Sequence, residues 1–130
     1  MQHTLRDLSP GQKFGPYDIS LSREDGAAYA AAVGDVSSPS YSGALPPLAM
    51  VATGLSRLIN DLGLGAGTVH AGQEVEFIRP VSPGERLTAH AELKSNSVRR
   101  DARFATVATE FRDAGGAVVA ISSSTVIVPV

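Results

Sequence analysis

The feature that most constrains this chain is a change of hydrophobic period part-way along it. Leu48, Val51, Ala52, Leu55, Leu58, Ile59 and Leu62 recur at three- and four-residue steps, the spacing of one face of a helix. Pro46-Pro47 opens that run, where a missing N–H costs nothing, and Gly63 and Gly65 stop it. A helix over 47–62 is expected, about 24 Å long at 1.5 Å per residue. From Thr68 the period becomes two. Val69, Ala71, Gln73, Val75 and Phe77 fall on one face, against His70, Glu74 and Glu76 on the other. Leu87, Ala89, Ala91 and Leu93 alternate with Thr88, His90, Glu92 and Lys94, which makes His90 an expected surface residue. Residues 95–101 read as a polar connection. Ala105, Val107, Thr109 and Phe111 share a face of a third run, 102–112, and Asp113-Ala114-Gly115-Gly116 is hairpin chemistry before a long β-rich run over 117–128.

Ahead of the helix, Phe14–Leu21 is an expected strand. Ser22 with an acid three residues later, Asp25, is a capping pattern for a short Ala-rich helix that ends at Gly34. Residues 34–43 are Gly, Ser, Asp and Pro chemistry and read as a loop. One strand, one central helix and a run of antiparallel strands give an α+β class, in which a sheet wraps a single helix. That order is the one found in a hot-dog fold, and the whole chain, 1–130, reads as one such domain. The expected free edge is the apolar run after Ala117, and its backbone groups call for a second chain, so a dimer is expected.

Composition narrows the function classes. Eleven Lys+Arg against 13 Asp+Glu give a net charge of −2, so no basic field draws nucleic acid or anionic lipid. Cysteine is absent, which excludes disulfides, thiolate catalysis and Cys-based zinc sites. The apolar runs near 45–52 and 117–121 are far shorter than a membrane span, and the polar start has no signal-like apolar stretch behind it. A cytoplasmic protein with no nucleic-acid or membrane partner is the expectation. The core is short of aromatics, with 4 Phe, 3 Tyr and no Trp. Small residues suit close packing of helix on sheet, but leave apolar cover for a second chain to supply.

The stretch Gly72-Gln73-Glu74-Val75-Glu76-Phe77-Ile78-Arg79-Pro80-Val81, followed by Pro83-Gly84-Glu85-Arg86-Leu87-Thr88, resembles the MaoC-like hot-dog hydratases and dehydratases. Those enzymes carry a G-Q-x-x-x-F-x-x-P-V strand and a P-G-D/E-x-L-T turn after the central helix. Residues 11–20 resemble the family's N-terminal entry as well. The resemblance implies reversible hydration of a 2-enoyl thioester carried on coenzyme A or acyl carrier protein, with no metal or redox cofactor. Active members carry a D-x-N-P-x-H loop before the helix. Here Asp35 and Pro39 match in kind, Tyr41 stands in the His position, and 45–48 read Leu-Pro-Pro-Leu. That departure is similar to the FAS1-type half of the superfamily, which often lacks the catalytic pair and shapes the acyl tunnel instead.

Hydration needs two groups of separated pKa in one desolvated slot. The candidates implied are Asp35, with Tyr41 and His70 as partners. Each has a plainer reading: Asp35 as a loop cap, Tyr41 as packing, and His70 as a surface residue beside Glu74 and Glu76. Pro47, Ala49, Thr53 and Gly72 are candidates to line the acyl group, or to permit close approach of helix and sheet. Arg99 and Arg100 are candidates for the phosphates of the carrier, since guanidinium suits phosphate geometry, or form a solvated turn beside Asp101. Three readings stay open: a hydratase or dehydratase, a non-catalytic hot-dog subunit paired with an Asp/His-bearing chain as homodimer or heterodimer, and a hot-dog thioesterase.

Overall fold

The helix expected over 47–62 forms over those residues as α2 (Pro47–Leu62) in the computed structural model, which describes residues 5–32, 47–64 and 67–129. Around it the chain builds α1 (Arg23–Ala32) and five strands: β1 (Lys13–Ile19), β2 (Val69–Phe77), β3 (Leu87–Arg99), β4 (Ala102–Arg112) and β5 (Val118–Pro129). They form one antiparallel sheet in the order β1-β3-β4-β5-β2. The cap of α1 is reciprocal, as the sequence required. Asp25 N–H donates to Ser22 Oγ at 3.0 Å, and Ser22 N–H donates to Asp25 Oδ2 at 2.9 Å.

Met50, Val51, Leu58 and Leu62 of α2 are buried against the sheet. Burial of such side chains contributes about 1.5–3 kcal/mol each before entropy is counted. Gly54 sets the depth of this contact, because a Cβ there would lie 2.8 Å from two ring carbons of Phe111. The core falls into two apolar clusters. One gathers Ile19, Met50, Leu87, Phe111 and Val119; the other gathers Phe14, Leu58, Leu93, Val107 and Val126. Between them along β4 and β5 lie three buried hydroxyls, Thr109, Ser122 and Ser124. The apolar stripe of α2 is wider than the sheet covers. Leu48 and Ile59 stay substantially exposed among the described residues.

Three expectations need correcting. The run after Ala117 is not an edge: β5 lies inside the sheet, paired with β4 on one side and β2 on the other. The free edges are β1 and β2. Residues 95–101 are not a connection. β3 runs on to Arg99, and the turn is Arg100-Asp101, with Arg100 at a φ of 58°. A bulge explains why periodicity misses this. Leu93 faces Val107 and Ser95 faces Thr106, so Lys94 is an extra residue that reverses the faces beyond it. Asn96 thereby shares a face with buried Ala105, where its amide donates to the carbonyls of Leu5 and Leu8, both at 2.9 Å. Lastly, His90 is half-buried and 2.9 Å from Thr88 Oγ1, not a free surface residue.

Candidate functional site

A second bulge decides where His70 stands. His70 lies opposite Val126 and Gly72 opposite Thr125, so Ala71 is the extra residue of β2. Directly opposed residues of an antiparallel pair lie on the same face. Val126 is buried in the core, so His70 belongs to the inner, helix-facing side of the sheet. The expected grouping of His70 with Glu74 and Glu76 is therefore overturned. Beyond the bulge Gln73, Val75 and Phe77 oppose Ser124, Ser122 and Ala120 on the inner face, while Glu74 and Glu76 point outward.

The inner face at this end is polar. Gln73 Nε2 donates to Ser122 Oγ at 3.2 Å, and Ser124 and Thr109 continue the line of hydroxyls into the core. His70 and Gln73 are both exposed among the described residues. An imidazole beside an amide and hydroxyls can hold a thioester or hydroxyl oxygen and move a proton. Periodicity singled out neither Gln73 nor the serines. The signal for the bulge was Gly72 inside a strand pattern.

The other candidates scatter. Ala49 and Thr53 border a cleft of about 400 Å³ between α1 and α2, together with Leu21, Asp25, Tyr29 and Arg57. Within it Thr53 Oγ1 donates to the Ala49 carbonyl at 3.0 Å. Gly72 lies opposite Thr125 on the outer face, and a Cβ there would meet nothing within 4 Å, so close approach does not require glycine. Arg99 lies with its guanidinium 5.7 Å from the centre of the Phe104 ring, a cation–π contact, and Arg100 forms the tip of the β3–β4 hairpin. That tip is at the same end of the sheet as His70 but three strand spacings away, about 14 Å. Pro47 begins α2. Asp35 and Tyr41 lie outside the described residues. Among the described residues no three His, Asp or Glu converge on a common point, and no helix is long and apolar enough to cross a membrane.

The motif that carried the resemblance does structural work. The Arg79 guanidinium donates to Glu85 through both terminal nitrogens, Nη1 to Oε1 at 3.1 Å and Nη2 to Oε2. It also reaches Asp113 Oδ2 and the Pro80 carbonyl, at 3.1 and 2.9 Å. Asp113 Oδ1 in turn accepts from the backbone N–H of Gly115 and Ala117. The loop after β2 is thus clamped to the β4–β5 hairpin. Arg79 holds the Glu85 carboxyl below its ordinary range, and the Asp113 carboxyl is lowered first by the Ala117 N–H and then by Arg79. At the opposite edge Tyr17 donates to Asp61 Oδ2 at 2.6 Å, tying β1 to α2. Burial, then the Asp61 bond and charge, push the Tyr17 phenol well above its usual range.

Comparison with known proteins agrees with this architecture. Residues 9–122 match the family model described as the FAS1-like dehydratase domain region. No curated protein gives a significant sequence match. Among solved structures, an (R)-hydratase from A. caviae involved in PHA biosynthesis is similar with a TM-score of 0.76 at 24% identity, over 95% of this chain and 99% of that one. The C-terminally truncated HadBC complex of Mycobacterium tuberculosis, a 3R-hydroxyacyl-ACP dehydratase, is similar with a TM-score of 0.70 at 18% identity, over 98% and 99%. A double-hotdog protein of the same organism gives 0.77 at 16% identity, over 98% of this chain but 44% of its own. At these identities the likeness establishes the fold, which is hot-dog.

Proposed function

We propose that this chain, which belongs to the FAS1-like dehydratase domain family, acts on 2-enoyl or 3-hydroxyacyl thioesters of coenzyme A or acyl carrier protein, as one half of a pair of hot-dog chains. The observation that carries this is the Ala71 bulge, which turns His70 to the inner face beside Gln73, at the edge of the sheet where another chain has room to bind. In this reading His70 delivers or removes the proton at the substrate carbon, and Asp35, from the segment preceding α2, handles the water. Tyr41 donates a hydrogen bond in place of the family's His, since a phenol carries one O–H donor. Ala49 and Thr53 border the acyl group, Pro47 shapes its approach, Gly72 on the outer face takes no part, and Arg99 and Arg100 meet phosphate on an extended carrier. No metal or redox cofactor takes part.

The second reading is a subunit without chemistry of its own, which completes the acyl site of an Asp/His-bearing partner. It is favoured by Tyr41 in place of the family's His. The assay that decides follows loss of enoyl absorbance from crotonyl-CoA, with the chain alone and with a D-x-N-P-x-H hot-dog chain. Turnover that falls at least about a hundredfold in both Asp35→Ala and His70→Ala supports the catalytic reading, in line with general acid–base contributions. Turnover that needs the partner and ignores both substitutions assigns the chain to the subunit reading. Release of free thiol without hydration would instead make it a thioesterase.

A further inference from the structure

Strand β2 is an open edge with a built-in obstacle to pairing with its own copy. It contains no Pro or Lys, the residues that commonly block an edge, and it is exposed along nearly its whole length. Val69 and Ile78 are 56% and 52% exposed. A second copy that extended this sheet, with both helices on one side, would be related by a two-fold axis normal to the sheet. Residues would then oppose each other only in same-face pairs. After the Ala71 bulge the regular stretch is 72–77, with Glu74 and Glu76 on its outer face. Only registers centred on Glu74 or Val75 keep most of that stretch paired. The first sets Glu74 against its own copy, and the second sets Glu74 against Glu76 twice. Centring on Gln73 or earlier runs the ladder into the bulge.

We infer that β2 pairs with the edge strand of a different chain, one that presents Lys or Arg opposite Glu74 and Glu76. Like charges directly opposed on a sheet destabilise it, and opposite charges contribute. The net charge of −2 adds to the disadvantage of a self-pair. This inference rests on the reading that a second hot-dog chain completes the molecule, and it specifies the chemistry of that chain.

Sedimentation at low salt tests it with the wild type, a Glu74→Lys/Glu76→Lys copy, their mixture, and a Glu74→Gln/Glu76→Gln copy. Both positions changed are exposed, and circular dichroism verifies that each variant folds. The expected result is that the wild type and the Lys copy associate with each other at least about tenfold more tightly than either does with itself. Added salt should weaken that mixed complex, and the Gln copy should self-associate more tightly than the wild type. A wild type that self-associates as tightly as the mixture overturns the charge rule while leaving β2 a pairing edge. Absence of association in both the mixture and the Gln copy overturns β2 as a pairing edge altogether.

Discussion

Strands β1 and β2 bound the same sheet, yet β1 buries Phe14 and Ile19 whereas β2 exposes every residue except the half-buried Val75. β1 is closed in three ways. Lys13 and Pro16 interrupt its outer side, its pairing with β3 shifts register between Phe14 and Tyr17, and Tyr17 ties it to Asp61 of α2. Gly15 allows the strand to lie against β3: at a φ of 87°, a Cβ there would sit 2.8 Å from the Ala89 carbonyl oxygen. Of these devices β2 carries only a register shift, at Ala71, and its sequence contains no Pro or Lys. The helix follows the same asymmetry, since α2 packs most closely over β1, and on the inner face of β2 only Val75 is packed against the apolar core among the described residues. A sheet finished at one edge and open at the other suits the proposed pairing with a second chain, and the polar inner face lies on the open half.

Substitutions on the two halves should therefore separate stability from association. The largest loss is expected at the helix–sheet contact on the closed half. Phe111→Ala removes a ring that is 1% exposed and touches the space beside Gly54, and should cost roughly 3–5 kcal/mol in urea unfolding. A loss under about 1 kcal/mol would show that α2 is not anchored there. Tyr17→Phe removes one hydrogen bond to a carboxylate at the closed edge and should cost about 1 kcal/mol, seen as a lower melting temperature. Glu85→Gln probes the clamp at the far end of β2. Its folded pKa lies below the unfolded value, so its stabilisation is complete above about pH 4.3 and vanishes as pH falls through the folded value. Wild type should exceed Glu85→Gln in stability at neutral pH by a few tenths to about 1 kcal/mol, and the two should converge in acid. Phe77→Ser, on the open edge, should move stability by about 0.5 kcal/mol or less yet weaken association with a partner chain.

The sequence announced the closed half well and the open half poorly, for physical reasons. Pro47 at the start and three- and four-residue spacing over one face made α2 readable to the residue. Ser22 and Asp25 did the same for the start of α1. Face assignment on β2 failed because one extra residue, Ala71, reverses a two-residue period, and alternation alone cannot reveal a slip of one. The Lys94 bulge hid the length of β3 in the same way, with no glycine to mark it. Which strand is an edge is a property of the whole sheet, and so β5 was mistaken for one. The Arg79–Glu85 pair of the family-like motif spoke of a loop clamp rather than of chemistry. At the site, His70 and Gln73 are placed by the structure, while Asp35 and Tyr41 fall outside the described residues.

The edge proposed to be completed by another chain is β2, not β1. Amide hydrogen exchange measured on the chain alone, and again with the Glu74→Lys/Glu76→Lys copy bound, tests it strand by strand. The β2 amides turned away from β5 should exchange rapidly in the free chain and become protected in the complex, with β1 unchanged. Protection that appears on β1, or a complex that leaves β2 exchanging as before, would contradict it.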